Sequence, residues 1–261
     1  MVYLELIIIF FLGLSFGSFA NVCSLRLPLD KSILFNSHCP SCASSIKPYD
    51  NIPLISYILL KGVSRCCKKK ISLQYPVIEL VSALLLTLIF LKFGIQFETI
   101  FLFAFLLCLL IIFISDLKFF IIPNEITYSL VILGILSTII DFNPFKTEIY
   151  ESLIAGSFAF FTFFLISKLF LYIKKKEGLG FGDVKIIGAI GIWLGIEATL
   201  IVIIYSSLLG ILVGTAMIMS RKIEKGDYLP YGCFITASVF IVTYQTIWLK
   251  FNLFNFILES I

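Results

Sequence analysis

Residues Ile186–Ser220 read IIGAIGIWLGIEATLIVIIYSSLLGILVGTAMIMS, an apolar run interrupted by one charge, Glu197. A helix crosses the hydrocarbon core of a bilayer in roughly 20 residues, so this run is too long for one ordinary span and tight for two. Gly195-Ile196-Glu197 supplies a turn, and the reading is two short helices joined there. Working outward, the same criterion finds Leu6–Cys23, Pro76–Leu91, Thr99–Ser115, Ile126–Ile140, Ser152–Ser167 and Tyr231–Leu249. The expectation is an all-α polytopic membrane protein with about eight transmembrane helices.

The distribution of basic residues tests that count, because each span reverses the side of everything after it and Lys and Arg collect on the cytoplasmic side. With eight spans, one side holds Arg26, Lys31, Lys47, Lys61, Arg65, Lys68, Lys69, Lys70, Lys118, Lys174, Lys175, Lys176, Lys185, Arg221, Lys222 and Lys225. The other holds Lys92, Lys146 and Lys250. Lys168 lies near the basic end of the fifth span, where its stem allows it to snorkel. Reading Ile186–Ser220 as one span would strand Arg221, Lys222 and Lys225 on the poor side, so the charge bias favours two. Both termini are then expected outside.

Composition agrees. In 261 residues, 60% are hydrophobic and only 14% charged, with 28 Phe, which excludes a soluble globule, a coiled coil and a disordered chain. The net charge of +4 is too small to indicate a nucleic-acid partner, and none is expected. The first span has no Lys or Arg before it and carries Glu5 where a signal peptide would be basic, so it is read as a permanent helix.

The chain then divides into a first transmembrane helix (1–23), a cytoplasmic loop domain (24–75), a seven-helix membrane domain (76–250) and an external tail (251–261). The loop, Ser24–Tyr75, holds Cys39, Cys42, Cys66 and Cys67, four of the seven cysteines. In a reducing cytoplasm these are thiols or metal ligands. Cys39-Pro40-Ser41-Cys42 is a CxxC turn of the kind that gives two thiolates to zinc, and a loop of this size is near the limit at which a core needs such a staple. Ser64-Arg65-Cys66-Cys67 is not CxxC. Cys67 is the expected third ligand, with Cys66 or His38 completing the set; four free thiols are the alternative. Cys23, Cys108 and Cys233 read as packing residues within helices.

Ionisable groups in or at the edge of spans are costly and therefore candidates for function. Asp116 closes the third span, and Asp183 opens the sixth within Gly180-Phe181-Gly182-Asp183-Val184-Lys185. The charge bias puts both on the cytoplasmic face. Two neighbouring carboxyls share one proton more easily than they ionise together, which suits an aspartyl dyad: one takes a proton from water attacking a peptide carbonyl, the other donates to the carbonyl oxygen. Gly180 and Gly182 would admit an extended substrate backbone, Lys185 adds a positive charge, and Glu79, just inside the second span, either lines the site or is structural. Because Asp183 begins a helix and Asp116 ends one, the helix dipoles assign Asp183 the role of base and Asp116 that of acid. The competing readings are interfacial charges at helix ends, a proton-coupled transporter in which Asp116 and Asp183 relay protons, and an inactive scaffold. No internal repeat of the kind common in transporters is visible.

At this point the residues resemble a known family. Gly17-Ser18-Phe19-Ala20-Asn21-Val22, Arg26-Leu27-Pro28, Cys39-Pro40-Ser41-Cys42, Tyr49-Asp50-Asn51-Ile52-Pro53, Ile71-Ser72, Tyr75-Pro76 and Glu79 occur in the order seen in type IV prepilin peptidases. Asp116, Ile122-Pro123-Asn124, Gly180–Lys185, Gly188–Gly195 and Pro230-Tyr231-Gly232 continue the pattern over nearly the whole chain. The resemblance implies a multi-pass aspartic endopeptidase of the bacterial cytoplasmic (inner) membrane, active site facing the cytoplasm, with Asp116 and Asp183 catalytic. Its substrates would be type IV prepilins or the pseudopilins of type II secretion, cut after a glycine that ends a basic leader. The long loop further implies N-methylation of the new N-terminal residue from S-adenosylmethionine, although no Gly-rich cofactor loop is visible in it. Three departures stand out: Ser64 where the family has the first cysteine of a second CxxC, Cys233 where proline usually follows glycine, and Asn124 where an acidic residue is frequent.

Overall fold

The computed structural model describes residues 2–34, 37–176, 178–224 and 228–250; Lys225 and the expected tail 251–261 lie outside them. Its helices are α1 (Val2–Arg26), α2 (Ile55–Leu59), α3 (Gln74–Phe93), α4 (Phe97–Phe119), α5 (Asn124–Ile139), α6 (Ile149–Lys174), α7 (Phe181–Met219) and α8 (Tyr231–Tyr244). A π turn, Gln245–Leu249, extends α8. Six of these segments among the described residues are long and apolar enough to cross a membrane, while α5, of 16 residues, is a shorter apolar helix. Two isolated β-bridges are the only extended pairing among the described residues.

Local chemistry sets the boundaries. Proline precedes the first turn of α5 and α8 as Pro123 and Pro230, where its missing N–H costs nothing. Gly94 ends α3 at φ 70°. The expected turn in the long run is present: α7 is a 39-residue helix broken at Gly195, whose φ of 74° and ψ of 179° are open to glycine and strained for other residues. The pieces on either side, 181–194 and 196–219, extend about 21 and 36 Å at 1.5 Å per residue. The break is held from both sides. Trp193, fully buried, donates from Nε1 to the Leu130 carbonyl of α5 at 2.8 Å, and Asn143 Nδ2 donates to the Trp193 carbonyl at 3.3 Å. In a membrane each such hydrogen bond contributes on the order of 0.6 kcal/mol.

The chain forms two compact units, Met1–Leu107 and Cys108–Ile261, with the division falling inside α4. In the first unit α1 packs on α3. Lipid gives helices no hydrophobic reason to associate, so the contact depends on close backbone approach at small residues. A Cβ on Gly13 would lie 2.5 Å from Ala83 Cα, and one on Gly17 would lie 2.6 Å from Glu79 Cα. In the second unit α7 is the centre, packing against α5, α6 and α8.

The described residues between α1 and α3 form tight turns, two short 3-10 turns (Leu27–Leu29 and Pro48–Asp50) and α2. The bridge His38 to Ser45 closes one small loop, and the bridge Val63 to Lys70 closes another. Each loop carries one of the cysteine pairs.

Candidate active site and cysteine cluster

Asp116 lies in the last turn of α4 and Asp183 in the first turn of α7. Both are buried, at 5% and 9% exposure, and neither has a Lys or Arg ion partner among the described residues. They share one neighbourhood within the second unit: Ile122 meets both Gly182, the residue before Asp183, and Gly232, which lies against the Asp116 carboxyl. The structure therefore brings together two aspartates that are 67 positions apart in the sequence.

The start of α8 joins them there. The Cys233 amide donates to Asp116 Oδ2 at 2.9 Å, and its thiol donates to the Phe113 carbonyl at 3.2 Å. A Cβ on Gly232 would lie 3.0 Å from Asp116 Oδ2 and 3.0 Å from Ile122 Cδ1, so glycine lets the helix terminus approach the carboxyl. Tyr231 fixes that terminus through a hydroxyl hydrogen bond with Ser206 of α7 at 3.0 Å. Ile122 sits in the tight turn after α4, where Ser115 Oγ donates to the Ile121 carbonyl at 2.6 Å. Its side chain also meets Gly182, where a Cβ would lie 3.1 Å from Ile122 Cβ. One isoleucine thus packs against the first turns of both α7 and α8.

These contacts add to two sequence expectations. The Cys233 side chain packs within α8 as expected, and its backbone amide adds a hold on Asp116 that the side chain does not announce. The helix-dipole argument for Asp183 as base and Asp116 as acid counted only each residue's own helix. Asp116 also receives an amide from the N-terminus of α8, which offsets the field of the α4 C-terminus and weakens the asymmetry behind that assignment.

The expected supporting residues occupy separate places. Gly180 precedes the first turn of α7, its carbonyl accepting from the Asp183 amide at 3.1 Å, and a Cβ there would lie 3.1 Å from Asp183 Oδ2. Lys185 donates to Asn124 Oδ1 and lies 5.2 Å over the Phe181 ring. Asn124, the departure from the family's acidic residue, is thus engaged by Lys185. Glu79 belongs to the first unit: it is 6% exposed, and its Oε2 accepts from the Leu54 amide at 2.7 Å.

The four loop cysteines converge, with their sulfurs all within 4.8 Å of one another. Cys39 and Cys67 are 3.7 Å apart and Cys42 and Cys66 are 3.3 Å apart. The first knuckle is set by the Ala43 amide donating to the Cys39 carbonyl at 2.8 Å, the second by the Lys68 amide donating to the Ser64 carbonyl at 3.0 Å. Cys66, rather than His38, completes the set. Ser64 keeps a hydroxyl 2.9 Å from Cys66 Sγ and 3.7 Å from Cys39 Sγ. Hydrogen bonds from Ser44, Ser64 and Cys42 push the Cys66 thiol down to about 6, and the Ser41 amide foremost lowers that of Cys39. Tetrahedral zinc–thiolate geometry requires sulfurs about 3.8 Å apart. The donor set fits zinc in number, spacing and ease of ionisation.

Two cavities stand out in the second unit, of about 250 and 260 Å³. The first adjoins the Gly180 loop through Leu179 and Phe181; the second lies by the Gly195 break with Glu151 and Glu197 in its wall. Neither is lined by residues 24–75, so no residue is assigned to a methyl donor.

Comparison with known proteins gives a consistent result. Residues 11–93 match the Bacterial Peptidase A24 N-terminal domain, and residues 103–215 match the Type IV leader peptidase family. A prepilin leader peptidase/N-methyltransferase of Neisseria gonorrhoeae is 32% identical, over 88% of this chain and 87% of its own. Proteins of the same description from Pseudomonas aeruginosa and Bacillus subtilis are 30% and 31% identical, each over 88% of this chain and over 87% and 90% of their own. No solved structure matches the chain.

Proposed function

Since the chain belongs to the type IV leader peptidase family, together with the prepilin leader peptidase/N-methyltransferases, we propose that it is a membrane aspartic endopeptidase whose catalytic residues are Asp116 and Asp183. The observation that carries the assignment is the meeting of these two buried carboxyls at the starts of α7 and α8, without a Lys or Arg ion partner among the described residues. The substrates are type IV prepilins or type II secretion pseudopilins, cut on the cytoplasmic side after the glycine that ends a basic leader. Eight spans follow when α7 is divided at Gly195 and α5 is counted with the other apolar helices. The sixteen-to-three asymmetry of basic residues supports a cytoplasmic position for Asp116 and Asp183, in what we take to be a bacterial inner membrane.

In this reading the pair holds one proton. The ionised carboxyl removes a proton from water as its oxygen adds to the scissile carbonyl, and the protonated one hydrogen-bonds the carbonyl oxygen as charge develops there. When the C–N bond breaks, the proton taken from water passes to the departing amine, so one water is consumed and one carboxyl and one amine are released. Packing of Ile122, Gly182 and Gly232 fixes the carboxyls before substrate arrives.

The names of the relatives support a second activity, N-methylation of the new N-terminus, with S-adenosylmethionine as the methyl donor. Residues 24–75 are its proposed seat and 76–250 that of the peptidase. Zinc would be held by Cys39, Cys42, Cys66 and Cys67, joining the two knuckles into one fold. The test is incubation of the purified protein in detergent with a prepilin, followed by mass spectrometry of the product's N-terminus. Loss of the leader with addition of one methyl group supports both activities. An intact prepilin in the presence of folded enzyme would refute the peptidase assignment.

A further inference from the structure

The short helix α2 presents an apolar face that is exposed among the described residues. Ile55, Ile58 and Leu59 are spaced i, i+3 and i+4, so they share one side of the helix. They are 36%, 63% and 75% exposed. The opposite side is fixed: Ser56, buried, donates from Oγ to the Tyr49 carbonyl at 2.9 Å and accepts from the Ile52 amide at 2.9 Å.

The depth of this face follows from its attachment. The Leu54 amide, immediately before α2, donates to Glu79 Oε2 at 2.7 Å. Glu79 lies five residues into the membrane helix α3, which is about 7.5 Å along the axis from Gln74. The headgroup layer on each side of a bilayer is about 5–7 Å deep. An α2 pinned beside Glu79 therefore starts at the boundary between headgroups and acyl chains.

Positive charge follows α2 directly in the chain. The Gly62 amide donates to the Tyr57 carbonyl of α2 at 2.9 Å, and the Val63 to Lys70 bridge folds the following loop back beside the end of that helix. Lys61, Lys68, Lys69 and Lys70 are all exposed. Only residues 71–73 separate Lys70 from Gln74, so it lies within about 14 Å of the start of the span.

We propose that Ile55, Ile58 and Leu59 insert into the membrane interface while Lys61 and the Lys68–Lys70 run bind anionic phospholipid headgroups, so that α2 anchors the cysteine loop flat against the bilayer. A basic substrate leader is a poor occupant of this surface because the lysines repel it. The inference needs only that α3 crosses the membrane and is independent of the peptidase assignment.

The test uses the full chain in nanodiscs of phosphatidylcholine, with or without phosphatidylglycerol as a minority lipid. Leu59→Trp and, separately, Ile58→Trp are compared with the parent protein, whose tryptophans are Trp193 and Trp248. The added tryptophan is expected to emit at short wavelength, to be quenched by lipids brominated near the headgroup end of their acyl chains, and to resist iodide. With brominated phosphatidylglycerol against brominated phosphatidylcholine, quenching should favour the anionic lipid, and Lys68→Gln, Lys69→Gln and Lys70→Gln together should reduce that preference on the order of tenfold. Water-like emission with free access to iodide in both variants would overturn the proposal. Shielding that appears only when a synthetic basic leader peptide is added would give the face to the substrate and overturn it equally.

Discussion

The dyad and the cysteine cluster are both places where distant residues meet, but they are built differently. Asp116 and Asp183 are carried by long helices whose packing buries them, and Ile122, Gly182 and Gly232 fill the space around them. The cysteines are carried by two small turns closed by isolated bridges, with Cys42 and Cys66 exposed to solvent. The first site is held by packing of long helices; the second is held by short turns, which the proposed zinc would join through its sulfurs. Substitutions should therefore act on chemistry at the dyad and on local folding at the cluster.

The largest expected effect separates the two sites in one assay. Asp183→Asn is expected to lower the rate of leader removal on the order of 10³-fold or more, while Cys39→Ser leaves cleavage within about threefold and abolishes methylation. Equal loss of cleavage from both would show that the cluster and the dyad are one functional unit. Chelation sharpens the same contrast: removing zinc should expose residues 37–72 to proteolysis and leave the membrane helices protected. A loop that remains resistant after metal analysis confirms zinc-free protein would contradict the staple.

A smaller effect is expected at Gly232. Gly232→Ala puts a methyl group 3.0 Å from both Asp116 Oδ2 and Ile122 Cδ1, so kcat should fall on the order of tenfold with KM nearly unchanged, because a small displacement of a catalytic group is costly. Cys233→Ala keeps the amide that holds Asp116 and should remain close to the parent.

The smallest effect concerns proton occupancy at the cluster. Cys66 is held near 6, below the ordinary thiol value of 9.0, by hydrogen bonds from Ser44, Ser64 and Cys42. A lowered value means thiolate at neutral pH, so in zinc-free protein Cys66 alkylation should rise through about pH 6 and be level above pH 7. An alkylation rate still climbing between pH 7 and 9 would show that those hydrogen bonds are not made in solution. Bound zinc should suppress the reaction throughout.

How far the sequence was legible follows the same division. Asp116 and Asp183 are conspicuous because charges are expensive in apolar runs, and the turn at Gly195 is legible because a 35-residue run has to be divided. Their setting is not. Asp116 and Cys233 are 117 positions apart, and nothing local announces that the amide of one meets the carboxyl of the other. Ile122 reads as one more aliphatic residue until helix packing places it against Gly182 and Gly232. The acid–base assignment is incomplete for the same reason: a helix dipole argument confined to one helix omits the terminus of its neighbour. At the cluster, Cys39 and Cys42 are evident from their CxxC spacing, whereas the choice of Cys66 over His38 depends on how two turns face each other.

The central claim is that Asp116 and Asp183 act as one unit, and its most direct test is kcat/KM for prepilin cleavage by Asp116→Asn, Asp183→Asn and the double variant, at matched expression and membrane insertion. If the carboxyls share one proton and one water, each single substitution removes the whole function, and the double variant is no slower than either single one. A single variant that retains activity, or a double variant whose loss is the product of the two single losses, would contradict a shared dyad.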